Sequence, residues 1–176
     1  YENEEGQIVI DLVQGEQNVF FWPDVDGNLG SPEGVYTRFR SFTIDYKSPN
    51  SVLPKAEEMG PYDAEFPCVD ERYMGSEYKH CFMNVMIKSE TNWPAIEKRM
   101  GAGFPLYNNV AHYNRETREW RMSNVGDTSI VQEPVFIPRS PDAPEGDGFV
   151  VALVNRYETF STDLLILDTR DWIKPA

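Results

Sequence analysis

The chain has 176 residues, 40% of them hydrophobic and 13% aromatic, which suits a packed domain and excludes a disordered segment. Its formal net charge of −13 opposes nucleic acid and anionic membrane surfaces, whose binding needs clustered Lys and Arg. No apolar run approaches the roughly 18–20 residues of a membrane span, no signal peptide is visible, and Cys68 and Cys81 give no disulfide framework, so the expected compartment is the cytoplasm.

Most apolar runs are short, rich in β-branched and aromatic residues, and bounded by Gly, Pro, Asn or Asp, which predicts an all-β fold. In chain order the predicted strands cover 7–13, 35–46, 80–87, 105–113, 119–125, 133–137, 148–155 and 163–169. Loops are expected over 24–34 and over SPNSVLPKAEEMGPYD (48–63), where Gly and Pro interrupt the pattern. One helical turn is expected at TNWPAIEKRMG (91–101), with Thr91 or Asn92 near its cap and Pro94 early in the turn. Two hairpins follow from the turn chemistry, VAHYN–RETR–EWRMSNV and GFVVALVN–RYETFST–DLLILDT. Repeated strand–turn–strand units suggest a radial β architecture. At about 40–45 residues per four-stranded blade, a piece of a larger propeller fits better than a complete small one, whose open edges would be a liability. The opening on Tyr1 and the stop at DTRDWIKPA read as a fragment truncated at both ends.

Several motifs carry no chemistry. DVDGN (24–28) has its Gly at the wrong offset for a calcium loop, and Val35 stands where a bidentate Glu is needed. GAG (101–103) lacks the strand–turn–helix setting of a dinucleotide loop. His80 and His112 lie in strand-like stretches without ligand spacing. Two carboxylates differ from the other acids: Glu65 in AEFPCVDERYMG and Glu133 in QEPVFIPR each stand beside a proline and an apolar run. Proline fixes the backbone direction and so aims the neighbouring side chain. Read from the residues alone, a solvated strand end or a hydrogen-bonded turn remains the commoner use of such a setting.

Taken together, AEFPCVDERYMG, VAHYNRETREW, EPVFIPRSPDAPEGDGFVVALV and DLLILDTRDWIKPA resemble the carotenoid cleavage oxygenase family, which includes stilbene-cleaving and retinoid-isomerising members. The start, YENEEGQIVIDL, is similar to the piece that follows the family's His-x-x-Asn motif. The resemblance implies a seven-bladed β-propeller, of which residues 1–176 would be the C-terminal blades. It also implies an iron(II) ion held by four histidines in the parent protein. None of those ligands would fall in this chain, His80 and His112 included, so the chain alone is expected to hold no metal and to be inactive. On the same resemblance Glu65 and Glu133 would accept hydrogen bonds from iron-bound histidines, while Cys68 departs from the family, where many members carry Arg. The implied reaction is cleavage of a conjugated C=C bond of a carotenoid, apocarotenoid or stilbenoid by O₂ to two carbonyl products. No nucleic acid is expected as partner, and membrane contact is expected at most as a peripheral property of the parent. A non-catalytic β-sheet interaction module and an isomerase stay open as alternatives. Phe66, Phe104, Tyr107 and Phe160 are candidate tunnel residues for which a core role is the simpler expectation.

Overall fold

The computed structural model describes residues 1–15, 26, 37–48, 53–88 and 106–172. Among these described residues ten strands form two antiparallel sheets. The first is a meander of β1 (Ile8–Gly15), β2 (Thr37–Ile44), β3 (Glu57–Val69), β4 (His80–Met86), β5 (Asn109–Asn114) and β6 (Trp120–Asn124), in that spatial order. In the second, β9 (Gly148–Arg156) pairs on one side with β10 (Ser161–Asp168) and on the other with β7 (Ser129–Val131) and β8 (Val135–Pro138). The all-β expectation holds, and both hairpins form, the second with a shorter turn than RYETFST because Arg156 pairs with Ser161. Tyr113 pairs with Trp120 and Asn155 with Thr162. At the first turn Asn114 Oδ1 accepts from the backbone of Glu116 and Thr117, which bends the chain without a glycine.

The predicted loop over 48–63 is corrected: from Glu57 onward it is the beginning of β3, a thirteen-residue strand. Gly60 and Pro61 look like breakers, but they fall in a bulge. Arg38 faces Asp63 and Arg40 faces Glu58, so five steps on β3 oppose two on β2 and Pro61 has no ladder bond to supply there. The three-residue β7 was also not foreseen. The expected helical turn at 91–101, and nearly all of the 24–34 loop, lie outside the described residues.

Side-chain parity builds two cores. On one face of the first sheet Phe39, Ala64, Cys81, Met83, Val85, Ala111 and Tyr113 are buried. On the other, Phe82 and Val110 meet Val131, Phe136, Val150, Val154 and Leu167 of the second sheet. Strand β4 is covered on both faces, which is why HCFMNV is nearly all apolar rather than alternating. The far face of the second sheet stays exposed and apolar, with Val135, Ile137, Leu153, Leu164 and Ile166 on it. At Gly148 a methyl group would fall onto the carbonyl of Ile137 in β8, so only glycine lets β8 and β9 close up. Gly148→Ala is expected to lower the unfolding free energy by about 1–3 kcal/mol, the usual penalty of overpacking, read as a lower urea midpoint.

Candidate functional site

The Glu-Phe-Pro stretch of β3 is irregular in a specific way. Glu65 lies opposite Asn84, but Cys68 lies opposite Phe82, so β3 carries one more residue than β4 between those pairs. Phe66 takes a φ of 53°, a left-handed conformation that costs a bulky residue of order 1–3 kcal/mol. The following Pro67 has no N–H to leave unpaired. The extra residue flips side-chain parity. Ala64 and Val69 pack into one core, whereas Glu65 and Cys68 both project toward the other. Such bulges are over-represented beside active sites, where they re-aim a side chain.

Glu133 stands between β7 and β8, followed by the buried Pro134. Asn84, fully buried, joins the two settings. It lies opposite Glu65, and its Nδ2 donates to the carbonyls of Val131 and Gln132, each at 3.1 Å, directly before Glu133. Cys68 completes the link. The backbone of Phe136 hydrogen-bonds the thiol, and burial, with the Glu133 charge adding, pushes it up to about 12. Pro67, Cys68, Glu133 and Pro134 line a cleft of about 520 Å³ together with Tyr1, Asp11 and Tyr78.

Glu65 is half-buried and its Oε2 accepts from the Tyr107 hydroxyl at 3.3 Å; Glu133 is exposed. Neither carboxylate takes part in an ion pair among the described residues. The neighbouring acid Asp11 is treated differently. Its Oδ2 accepts from Tyr78 Oη at 2.6 Å and from Arg115 Nε at 3.0 Å, and Arg115 lies over the rings of Tyr1 and Tyr78. That acid is paired through Oδ2, while its Oδ1 is buried without a hydrogen-bond partner among the described residues.

His80 and His112 meet each other. His80 Nδ1 and His112 Nε2 are 2.8 Å apart, and His112 stacks on Phe82 and against Trp172. Among the described residues no group of three or more His, Cys, Asp or Glu side chains is placed to hold a metal ion. Of the candidate tunnel residues, Tyr107 is core, but Phe66 and Phe160 are exposed, at the bulge and in the β9–β10 turn; Phe104 lies outside the described residues. Sequence reasoning missed Asn84, and it named Tyr107 as a core or tunnel residue without its bond to Glu65. The available signal was a lone amide in the middle of the apolar run CFMNVMI.

The whole chain, residues 1–176, matches the family model described as retinal pigment epithelial membrane protein. It is 40% identical over 174 residues to resveratrol cleavage oxygenase 1 of Aspergillus fumigatus, covering 98% of this chain and 35% of that protein. It is 34% identical to carotenoid cleavage oxygenase 1 of Neurospora crassa, covering 97% of this chain and 33% of that protein. A crystal structure of Pseudomonas brassicacearum lignostilbene dioxygenase superposes with a TM-score of 0.84 at 31% identity, over 97% of this chain and 35% of that one. The chain thus spans about a third of the length of the curated relatives it matches.

The histidine pair has a pH signature. A short nitrogen–nitrogen hydrogen bond needs one ring as acceptor, so the pair takes up at most one proton without breaking. Burial, then His80, then Arg121 pull His112 down to about 4, and burial also lowers His80, which Glu145 and Glu116 oppose and Lys79 and Arg121 reinforce. Between the ordinary value of 6.5 and about 4 the unfolded chain therefore binds more protons than the folded one, and stability is lost as the pH falls. The urea midpoint is expected to be level above pH 7 and to drop across that window. His112→Phe, which keeps the stacking, should flatten the slope; an unchanged slope would show that other groups carry it.

Proposed function

The chain belongs to the retinal pigment epithelial membrane protein family, the carotenoid oxygenases, and from that premise we propose that it is a stretch of C-terminal propeller blades of an iron(II)-dependent alkene-cleaving dioxygenase. In this reading residues 1–176 are part of a seven-bladed propeller whose ion is held by four histidines that other segments bring. Glu65 and Glu133 accept hydrogen bonds from two of those imidazoles. The observation that carries it is their shared setting: Asn84 pairs across the ladder with Glu65 and donates to the strand that leads to Glu133, and neither carboxylate has a cationic partner among the described residues. The donor set fits this task and not direct ligation, since the described residues bring no metal-holding cluster of their own.

The physics of the assignment is direct. A metal-bound imidazole presents its second N–H, and a carboxylate that receives it fixes the ring's orientation and makes the other nitrogen more electron-donating. Two carboxylates also offset a dication held by four neutral rings. Bound iron(II) supplies the reaction with O₂ at a conjugated C=C bond, giving two carbonyl products. Glu65 and Glu133 are not acids or bases in the chemistry; they orient. Among substrates of the parent we favour a stilbenoid over a carotenoid. The 40%-identical relative is named for resveratrol cleavage and the superposed structure is a lignostilbene dioxygenase. No helix of the described residues is long and apolar enough to cross a membrane. A cytoplasmic enzyme is the reading we adopt, with no nucleic-acid partner.

In the complete oxygenase, Glu133→Gln and Glu65→Gln are each expected to weaken iron retention by about 10–100-fold, measured as metal content after dialysis against a ferrous chelator. Iron content and turnover equal to the parent in both variants would sink the assignment. The 176-residue chain alone is expected to take up no stoichiometric iron, which metal analysis of the purified chain checks directly.

A further inference from the structure

Behind Glu65 stands a buried hydroxyl. Tyr107 is 7% exposed and its ring packs between the two sheets with Phe82, Val110 and Phe136. Its Oη donates to Glu65 Oε2 at 3.3 Å, and the Thr37 side chain hydrogen-bonds the same phenol from the start of β2. Burial pushes the phenol up to about 12, so it is a neutral donor wherever the carboxylate is ionised. The 3.3 Å separation is long for O–H···O, and it leaves the carboxylate capacity for a further donor.

Tyr107 also holds the other glutamate's strand. Its carbonyl accepts from the N–H of Val131 at 2.8 Å, two residues before Glu133. Asn84 grips the same segment from the other direction, donating to Val131 and Gln132. The orientation of its amide follows from those two carbonyls, and its Oδ1 is left buried without a partner. A leucine would fill that space without stranding an acceptor, so packing alone gives no reason for asparagine here. The segment that carries Tyr107 is itself fixed, because Asn108 mimics a strand, donating to the carbonyl of Ile87 at 2.8 Å and accepting from its N–H at 2.9 Å.

We propose that Tyr107 and Asn84 are positioning residues that lock the two glutamates into one rigid frame, Tyr107 by its hydroxyl on Glu65 and Asn84 by its amide on the strand that leads to Glu133. The frame deepens the proposed role of the glutamates and rests on it. It lets blades that supply no ligand set the relative orientation of two imidazoles from elsewhere. A frame of this kind works through the carboxylates, so its effects appear only while they are present.

The test uses the complete, iron-loaded oxygenase and reads the rate of iron loss to a ferrous chelator, with the thermal midpoint recorded alongside. Tyr107→Phe keeps the ring and the carbonyl and removes one hydroxyl. It is expected to accelerate iron loss about fivefold, the scale of one hydrogen bond. In a Glu65→Gln background the same change is expected to add nothing, and in a Glu133→Gln background to multiply in full. Asn84→Leu, close in volume, should show the reverse coupling: absorbed by Glu133→Gln and additive with Glu65→Gln. If Glu65→Gln speeds iron loss while Tyr107→Phe does not, or acts equally in both backgrounds, the frame is wrong and the role of Glu65 survives. If Glu65→Gln itself leaves the rate unchanged, the role of Glu65 falls and the frame with it. A lower thermal midpoint without the coupling pattern marks a packing effect and overturns the proposal. Should Asn84→Leu fail to fold, the Tyr107 cycle decides alone.

Discussion

The surplus residue in β3 is the constraint on which the candidate site depends. With regular pairing past Glu65, Cys68 would point into the core that Ala64 occupies, and Val69 would face the second sheet. The bulge at Phe66-Pro67 reverses this and lets Glu65 and Cys68 share a face. It holds an aromatic residue in a left-handed conformation at some cost. A proline is well suited to the adjoining position, having no amide hydrogen to strand. A strained, proline-flanked irregularity inside a long strand is worth retaining only if it aims something, and the side chain immediately before it is a carboxylate.

The treatment of charge points the same way. Asp11 pairs through Oδ2 with Arg115 and Tyr78, Asp63 with Arg38, Asp70 with Arg72, and Asp147 and Asp168 with Arg139. The cationic partners of these acids are arginines, whose planar forks fit carboxylates well. Among the described residues Glu65 accepts from a phenol and Glu133 has no cationic partner, with a cysteine thiol nearby. A half-buried carboxylate with unfilled acceptor capacity is what an N–H from another segment of polypeptide would seek. The acids that pair with arginine within the chain are thus separable by their partners from Glu65 and Glu133, although all look alike in a composition table.

The legible part of the fold was the local part. The β5–β6 and β9–β10 hairpins follow from alternation and from turns such as Asn-Arg-Glu-Thr, where one side chain closes the bend. Strand β3 was hidden because Gly60-Pro61 and Phe66-Pro67 are punctuation in a one-dimensional reading. In three dimensions both are bulges, which depend on what the partner strand does opposite them. Strand β7 is too short for any periodicity to register. Glu65 and Glu133 could be singled out by their proline settings. Tyr107 and Asn84 could not be tied to them, since those connections run through hydrogen bonds between residues 42 and 47 or 48 positions apart.

The second sheet turns one face to the first and leaves the other lined with Val135, Ile137, Leu153, Leu164 and Ile166. On a solitary domain such a surface invites self-association, and the chain's strong negative charge is the force that opposes it at low ionic strength. The colloidal behaviour of the isolated polypeptide is therefore tied to salt: screening removes the repulsion while leaving the greasy sheet untouched. Handling it in dilute buffer and handling it in brine are, physically, two different experiments.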